Sequence, residues 1–426
     1  MRDRTKCMSG NLFWNQVSQM RHGGLRIAAL KAGKLASMIL AVPFVLLIVI
    51  IRPWILIRFG ALDGTRIFCL IVLPETYLYW KEQIQSPRLT LDYIGCPTTT
   101  CNLQLQTMWE RTKLFPYDAN FCVFWERACK FWTRDDAHSA RIDISTVYLL
   151  GKIQPHLGFN AGENLRGITL LEKLGIPVGA PWVCIIGRDN KYLNSSLNAK
   201  LTAPGGTWKY HSHRNFEIET FKDAATELTK RGYFVLRMGS AVEQLFTTGN
   251  PMIIDYANHP LQSDFADIYL LAHCRFSLGG DSGLNLVPAA FGKPFAFINF
   301  VTIAELIGHY NWLPTPFIIK RAWHTIDRRF LSLRETFDFG LGAAGFAEQY
   351  SLAGVEIISN TPEEIRECAI EVDERLHSNW HSHPEDDELQ HKFWEIFREC
   401  CPPNHDRIIQ ARVGAAFLRQ HRYLLG

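Results

Sequence analysis

Between Pro181 and Ile298 short apolar runs alternate with amphipathic stretches, and this alternation constrains the fold more than any other feature of the chain. Trp182–Ile186, Tyr233–Arg237, Met252–Ile254, Arg275–Leu278 and Pro294–Ile298 read as buried strands. Phe216–Arg231 places Phe221, Ala225 and Leu228 on one helical face and stops at Gly232. Ser263 can cap a helix that runs to His273 with Phe265, Ile268 and Leu271 inward. Ser282–Phe291 reads as a further helix, stopped by Gly292. Strands this short, separated by helices, pair in parallel through right-handed crossovers. The segment therefore reads as a Rossmann-like α/β domain.

The preceding half is a coarser βαβ pattern. Pro53–Gly60 and Leu89–Ile94 read as strands, Thr146–Leu150 as a third, and Glu75–Gln85, Phe121–Trp132 and Leu165–Leu174 as helices. Downstream, Pro362–Leu376 and Leu389–Phe397 read as helices, and Ile408–Leu418 closes the chain. With 426 residues there is room for two domains. The expected division is a first Rossmann-like domain at 52–178, a second at 179–376, and terminal helices at 377–426 packing back on the first.

Leu35–Ile51 is 17 residues without a charge, at the short limit for a membrane span. Before it come Arg2, Arg4, Lys6, Arg21, Arg26, Lys31 and Lys34 against one acid, Asp3. Residues 1–34 thus read as a basic interfacial arm, with Leu12, Phe13, Val17 and Met20 interleaved. Arg52, Arg58 and Arg66 follow, so both flanks are basic, and Pro43 can kink the segment. The favoured reading of 35–51 is a membrane-anchor helix that enters one face only, with both ends and the body in the cytoplasm. A single span and a buried core helix are the alternatives. Because the first strand starts after Pro53, residues 1–51 read as dispensable for folding.

The net charge of +3, with no long Lys/Arg run, disfavours a nucleic-acid partner. The 11 cysteines contain no CxxC pair, so neither a disulfide framework nor a zinc site is expected.

Three segments carry chemistry. In Gly279–Pro294 a strand ends in a small polar turn and a helix follows, where unpaired N–H groups suit a phosphate. Gly280 and Gly283 would admit the ligand closely, Ser282 adds a hydroxyl, and Asp281 is either part of the site or an ordinary helix cap. Next, Arg188 and Asp189 emerge where the Trp182–Ile186 strand leaves the sheet. The guanidinium can grip a diphosphate bidentately, or the two can form a plain surface pair. Finally, Tyr210–Asn215 gathers His211, His213, Arg214 and Asn215 ahead of a helix, suited to phosphate or sugar hydroxyls or simply to capping bonds. The His-x-His spacing lacks a matching third metal ligand, so no metal is expected. Arg237, at a strand end, is a further candidate contact. No Asp-x-Asp follows a strand, no GxGxxG lies at a first strand, and no GxxxxGK[ST] or GxSxG occurs, which removes support for metal-dependent GT-A, dinucleotide, P-loop and α/β-hydrolase readings, and no cofactor is expected.

Tyr210–Gly239, Ile254–Ala257, Ser263–Ala272 and Gly280–Gly283 together resemble a bacterial family of proposed glycosyltransferases found with surface-polysaccharide genes. Ile55–Gly60 and Ile408–Leu425 also fit, so the resemblance runs from about residue 52 to the end. It implies a GT-B fold, two Rossmann-like domains facing a cleft, with the second binding a nucleotide sugar. The chain departs from the pattern near Thr65–Val72, where a more polar, His-containing turn is expected. The function implied is transfer of a sugar from a nucleotide-diphosphate donor to a lipid-linked or polysaccharide acceptor at the cytoplasmic face of the inner membrane. Arg188, His213, Arg214, Asn215, Arg237 and Gly280–Gly283 would hold the donor, with Asp189, His211 or Glu305 as the base. A nucleotide-sugar epimerase of the same fold and a non-catalytic tethered scaffold are the competing readings.

Overall fold

A computed structural model of the protein describes residues 32–426, apart from 34, 84–87, 97–99, 113–114, 116, 141, 143, 153, 196–208, 309, 311–314 and 402–409. Nearly all of the basic arm at 1–34 therefore lies outside the described residues. In chain order, the elements that matter are α1 (Val42–Ile51), β1 (Ile55–Ala61), α2 (Ile67–Gln83), β2 (Leu89–Cys96), α3 (Leu103–Thr112), β3 (Tyr117–Asp118), α4 (Ala119–Thr133) and α5 (Ala161–Lys173). These are followed by β4 (Trp182–Ile186), α6 (Lys222–Lys230), β5 (Phe234–Met238), β6 (Ile253–Ile254), α7 (Asp264–His273), β7 (Ser277–Gly279) and β8 (Phe295–Phe297). The chain closes with α8 (Pro362–Leu376), α9 (Asp386–Cys400) and α10 (Ala415–Gln420). It is a mixed α/β protein with parallel sheets, and it divides into two compact units.

The smaller unit comprises residues 1–61, 85–95 and 116–141. Its sheet runs β1–β2–β3, with β1 and β2 parallel and Arg58 opposite Asp92 in register. That pair is bidentate, at 2.7 and 3.0 Å, and largely buried, so its charges are satisfied where the sheet is dry. Ala41, Val45 and Ile48 from the hydrophobic segment are buried against Phe59, Ala128 and Cys129. The opposite side of α1 is exposed.

Among the described residues no helix is long and apolar enough to cross a membrane. The expected anchor helix at 35–51 is interrupted at Ala41, and α1 begins at Val42. Pro43 is the physical reason: it has no N–H to return to the preceding turn, and it takes a first-turn position where none is needed. The segment is therefore part of the unit's core along one face. Residues 1–51 cannot be removed without stripping that face.

The larger unit comprises residues 62–84, 96–115 and 142–426. The expected single boundary at 178/179 is not observed, because α2, α3 and α5 belong here. In α2 every residue from Leu70 to Leu78 is buried, Glu75 included. Such a helix must be covered all round. Trp109 of α3 donates its indole N–H to the Leu70 carbonyl at 2.7 Å. Glu75 accepts the backbone N–H groups of His156 and Leu157 and pairs with the His156 ring at 2.7 Å. The expected strand at Thr146–Leu150 is instead part of a 3-10 helix, Ile144–Lys152, packed on α2.

The central sheet has the order β6-β5-β4-β7-β8, all parallel. Each strand lies within about two residues of its sequence-derived position. The 216–231 segment splits into a 3-10 turn, Ile218–Phe221, and α6. The expected 282–291 helix is likewise a four-residue 3-10 turn, Gly283–Leu286, followed by one α-turn, Val287–Ala290. A small antiparallel sheet, β10-β9-β11 (Arg329–Phe330, Arg321–His324, Val355–Ile358), was not anticipated. The terminal helices close on the larger unit itself: Glu364 holds the His421 ring at 2.7 Å, Glu371 accepts the Ala415 N–H at 2.7 Å, and Gln390 brackets Val413.

Replacing Ile48 by Ala is expected to cost about 2–4 kcal/mol, the usual range for emptying a buried aliphatic site. Chemical unfolding followed through the smaller unit checks this. A loss below about 0.5 kcal/mol means that α1 is not part of the core.

Candidate functional site

In the order β6-β5-β4-β7-β8 the chain leaves β4 toward one edge and later returns to β7 on the other side of β4. The β4/β7 gap is therefore the topological switch point, where the crossovers diverge and leave a crevice beyond the strand ends. Arg188 follows β4 and Asp281 follows β7. They meet there, with Arg188 Nη1 donating to the Asp281 carbonyl at 2.5 Å. Arg214 Nη1 lies 3.2 Å from Asp281 Oδ2, and the Thr302 hydroxyl donates to the same oxygen at 3.2 Å. One buried acid thus organises two guanidinium groups.

Those guanidiniums are not fully used. The Nε atoms of Arg188 and Arg214 are buried with no hydrogen-bond partner among the described residues. Both ring nitrogens of His213 and Oδ1 of Asn215 are in the same state. Buried polar groups normally find partners, so four such residues at one place make this crevice a candidate site for a polar ligand. Burial lowers the Arg188 pKa to about 10 despite Asp281, with Arg214 and Arg66 adding repulsion.

The 209–215 loop is a 3-10 turn, Lys209–Arg214. It is held from below by Lys320, whose ammonium donates to the His213 carbonyl at 3.0 Å and the Asn215 carbonyl at 2.5 Å. Burial, with Arg188 nearby, lowers that lysine to about 8. His211 donates to the Gly345 carbonyl at 3.0 Å and lies parallel to Phe346. Burial and then the charges of Arg214 and Arg188 push His211 down to about 4. Burial, Arg214 and then His211 push His213 to about 3. In both rings burial and the neighbouring guanidiniums thus disfavour the protonated form.

Glu305 is close enough to feel both Asp281 and Arg214 electrostatically. Burial first, then the charge of Asp281, raises its carboxyl to about 7, with Arg214 opposing. A carboxyl poised there can take or give a proton near neutrality. Asp189 is placed differently. Its two oxygens accept the backbone N–H groups of Lys191 at 2.9 Å and Glu243 at 3.0 Å, so it clamps two loops. Arg237 is 1% exposed and pairs with Asp255 at 3.1 Å within the sheet end.

The glycines carry out a different task from the one expected of them. A Cβ on Gly280 would lie 2.3 Å from the Phe216 ring, and one on Gly283 would lie 2.8 Å from Phe68 Cβ. The missing side chains make room for protein. With only a 3-10 turn after Ser282, little dipole accumulates there. The Ser282 hydroxyl makes no capping bond to that turn. The positive character of the crevice thus comes from side chains. Sequence reading missed Arg66, Thr302 and Lys320. Arg66 was passed over because it follows the hydrophobic segment, and Lys320 because it follows an apolar run, Phe317–Ile319, which gives no sign of the carbonyls it meets. Among the described residues no cluster of three or more His, Cys, Asp or Glu forms a metal-sized group.

No protein-family model matches this sequence, and no curated protein matches it. Among solved structures the chain is similar to the ADP-heptose lipopolysaccharide heptosyltransferase II of E. coli, at 12% identity, covering 57% of this chain and 84% of that one, with a TM-score of 0.31. A glycosyl transferase family 9 protein of Veillonella parvula matches at 11% identity, covering 57% and 80%, with a TM-score of 0.32. The iron-containing dodecameric glycosyltransferase TibC of enterotoxigenic E. coli matches at 14%, covering 60% and 61%, with a TM-score of 0.30. No residue role is transferred from these structures.

Sulfate does not itself titrate between about pH 5 and about pH 8, and it should bind here more tightly as pH falls. An arriving dianion favours the charged forms of His211 and His213, and protonation of Glu305 below about 7 removes an opposing charge. In Glu305→Gln the remaining pH dependence reports the histidines at the acid end of the range and Lys320 near pH 8. Sulfate affinity that is flat across this range in wild type refutes the arrangement.

Proposed function

We propose that this protein is a glycosyltransferase that moves a sugar from a nucleotide-diphosphate donor to a lipid-linked or polysaccharide acceptor at the cytoplasmic face of a membrane. The observation that carries the reading is the pair of buried, unpartnered guanidinium Nε atoms of Arg188 and Arg214 at the β4/β7 switch point. A diphosphate offers acceptor oxygens at the spacing such a pair can use. As the bond from the anomeric carbon to the donor oxygen breaks, its electron pair passes to the nucleotide diphosphate. Arg188 and Arg214 then stabilise charge that grows toward the transition state, the kind of interaction that accelerates a reaction. His213, Asn215 and Ser282 supply further polar contacts to phosphate or sugar.

The acceptor hydroxyl must lose a proton while its oxygen bonds to the anomeric carbon. Of the three candidate bases, Glu305 fits best. Asp189 has both oxygens engaged by backbone, and His211 at about 4 is too weakly basic. The exposed outer face of α1 supports placement at a membrane and favours a transferase over an epimerase, which acts on soluble substrates. A scaffold has no use for buried cations with unused Nε donors.

Incubation with a panel of nucleotide sugars should give hydrolysis or transfer. Epimerisation alone points to the alternative enzyme, and no turnover with any donor rejects both. Arg188→Ala and Arg214→Ala should each weaken nucleotide-diphosphate binding by about 1.5–3 kcal/mol, as for a lost bond to a charged group. Wild-type affinity in both places the site elsewhere. In wild type kcat/KM should rise with pH through about 7 as Glu305 ionises. Glu305→Gln should lose that limb along with most of kcat.

The guanidinium pair also offers charge neutralisation that does not need a divalent ion, and the sequence contains no Asp-x-Asp. Turnover is therefore expected to survive EDTA. Loss of activity with EDTA that Mg²⁺ or Mn²⁺ restores rejects metal independence and leaves the donor site assignment standing.

A further inference from the structure

In the smaller unit α1 and α4 pack together, and their outer faces continue into one another. Phe44 of α1 meets Trp125 of α4 edge-on at 5.8 Å, and Trp125 meets Phe121 at 6.3 Å. At the other end of α4, Trp132 donates its indole N–H to the Met38 carbonyl at 3.0 Å, with Phe131 against it. None of this closes the surface. Leu40 is 73% exposed, Phe44 59%, Phe131 57% and Phe121 49%. Phe121, Trp125 and Trp132 share one stripe of α4 because they recur at helical intervals, Phe131 borders it, and Arg127, Lys130 and Arg134 line the edge beyond Phe131.

We infer that the outer faces of α1 and α4 form one continuous surface that seats the smaller unit on an anionic lipid bilayer. The inference rests on the membrane placement proposed above and extends it. The contact is a folded, two-helix face with aromatic residues from α4, not a hydrophobic segment acting alone.

Three observations favour lipid as the occupant. First, α1 has ten residues and so a length of about 15 Å, half of a bilayer core of about 30 Å. With its inner face committed to protein, it suits a helix lying in the interface. Second, Trp54 and Trp132 are exposed at the margins, where indoles settle between acyl chains and headgroups. Third, the 34 residues that precede the segment carry seven Lys or Arg and one acid, a charge balance complementary to anionic headgroups.

The test is co-sedimentation of the full chain with vesicles of phosphatidylcholine containing about 30% phosphatidylglycerol, compared with phosphatidylcholine alone. Wild type should bind the anionic vesicles and largely lose binding without phosphatidylglycerol. The double variant Phe121→Glu/Phe131→Glu should bind at least about tenfold more weakly at an unchanged melting temperature, since both side chains are half exposed. If it binds like wild type while Leu40→Glu/Leu47→Glu does not, α4 is outside the contact and the inference fails, although membrane placement survives. If neither variant loses binding, the folded face is not the contact and the inference fails; if wild type itself does not bind anionic vesicles, membrane placement fails with it. A lipid-free dimer that the α4 substitutions dissociate assigns the face to a second copy and overturns the inference. Nucleotide-diphosphate affinity, measured on the same variants, should be unchanged and so keeps the donor site a separate question.

Discussion

Asp281 is the residue on which the site depends. It lies past the end of β7, is 9% exposed, and receives Arg188 through its carbonyl and Arg214 and Thr302 through its carboxylate. Without that acid, two buried guanidiniums and a buried ammonium would face one another in a space of low polarity, which is several kcal/mol unfavourable per uncompensated ion. With it, the guanidiniums stay charged but not neutralised: one carboxylate serves both Arg188 and Arg214. The residual positive potential is where an anion would complete the hydrogen bonding. The rest of the crevice is arranged around this imbalance. The 209–215 loop rests on Lys320, Phe216 fills the space beside Gly280, and Phe68 fills the space beside Gly283.

Much of the larger unit was legible in the sequence because a parallel sheet buried on both faces writes itself as short apolar runs. β4, β5, β6, β7 and β8 fall within about two residues of where those runs placed them. Arg188 and Asp281 were legible for a related reason, as polar residues that directly follow such runs come out at strand ends. What failed was local. Thr146–Leu150 has strand composition, yet it coils as a 3-10 helix against α2, because an all-apolar helix must be covered and this segment covers it. The 282–291 helix was shortened because Gly283 and Pro288 interrupt the hydrogen-bond ladder that an N-terminal dipole needs.

The glycines at 280 and 283 show why a motif can point to the right place for the wrong reason. Gly-Asp-Ser-Gly suggests a backbone bared to phosphate. In the folded chain both missing Cβ atoms are answered by phenylalanine. Close packing of Phe216 and Phe68 on this turn fixes the position of Asp281, and Asp281 fixes the arginines. Sequence spacing could not reveal this, because Phe68 lies 215 residues before Gly283. The same distance hides Lys320, whose partners are backbone carbonyls and so leave no trace in side-chain pattern.

The two histidines complete the physical picture. Burial first, then the charges of Arg214 and Arg188 on both rings and of Lys320 on His213, pushes their pKa values down to about 4 and about 3. Each added cation would cost more than the last. An arriving anion offsets part of that repulsion, so protonation of the rings becomes less unfavourable. Glu305 responds in the opposite sense: an anion near it makes its ionised form less favourable and holds its proton longer. Departure of the anion would then lower its pKa, so a crevice of this composition links the proton on Glu305 to the charge held by Arg188 and Arg214. That linkage follows from burial and charge count alone, and it holds for any polyanionic ligand the switch point accepts.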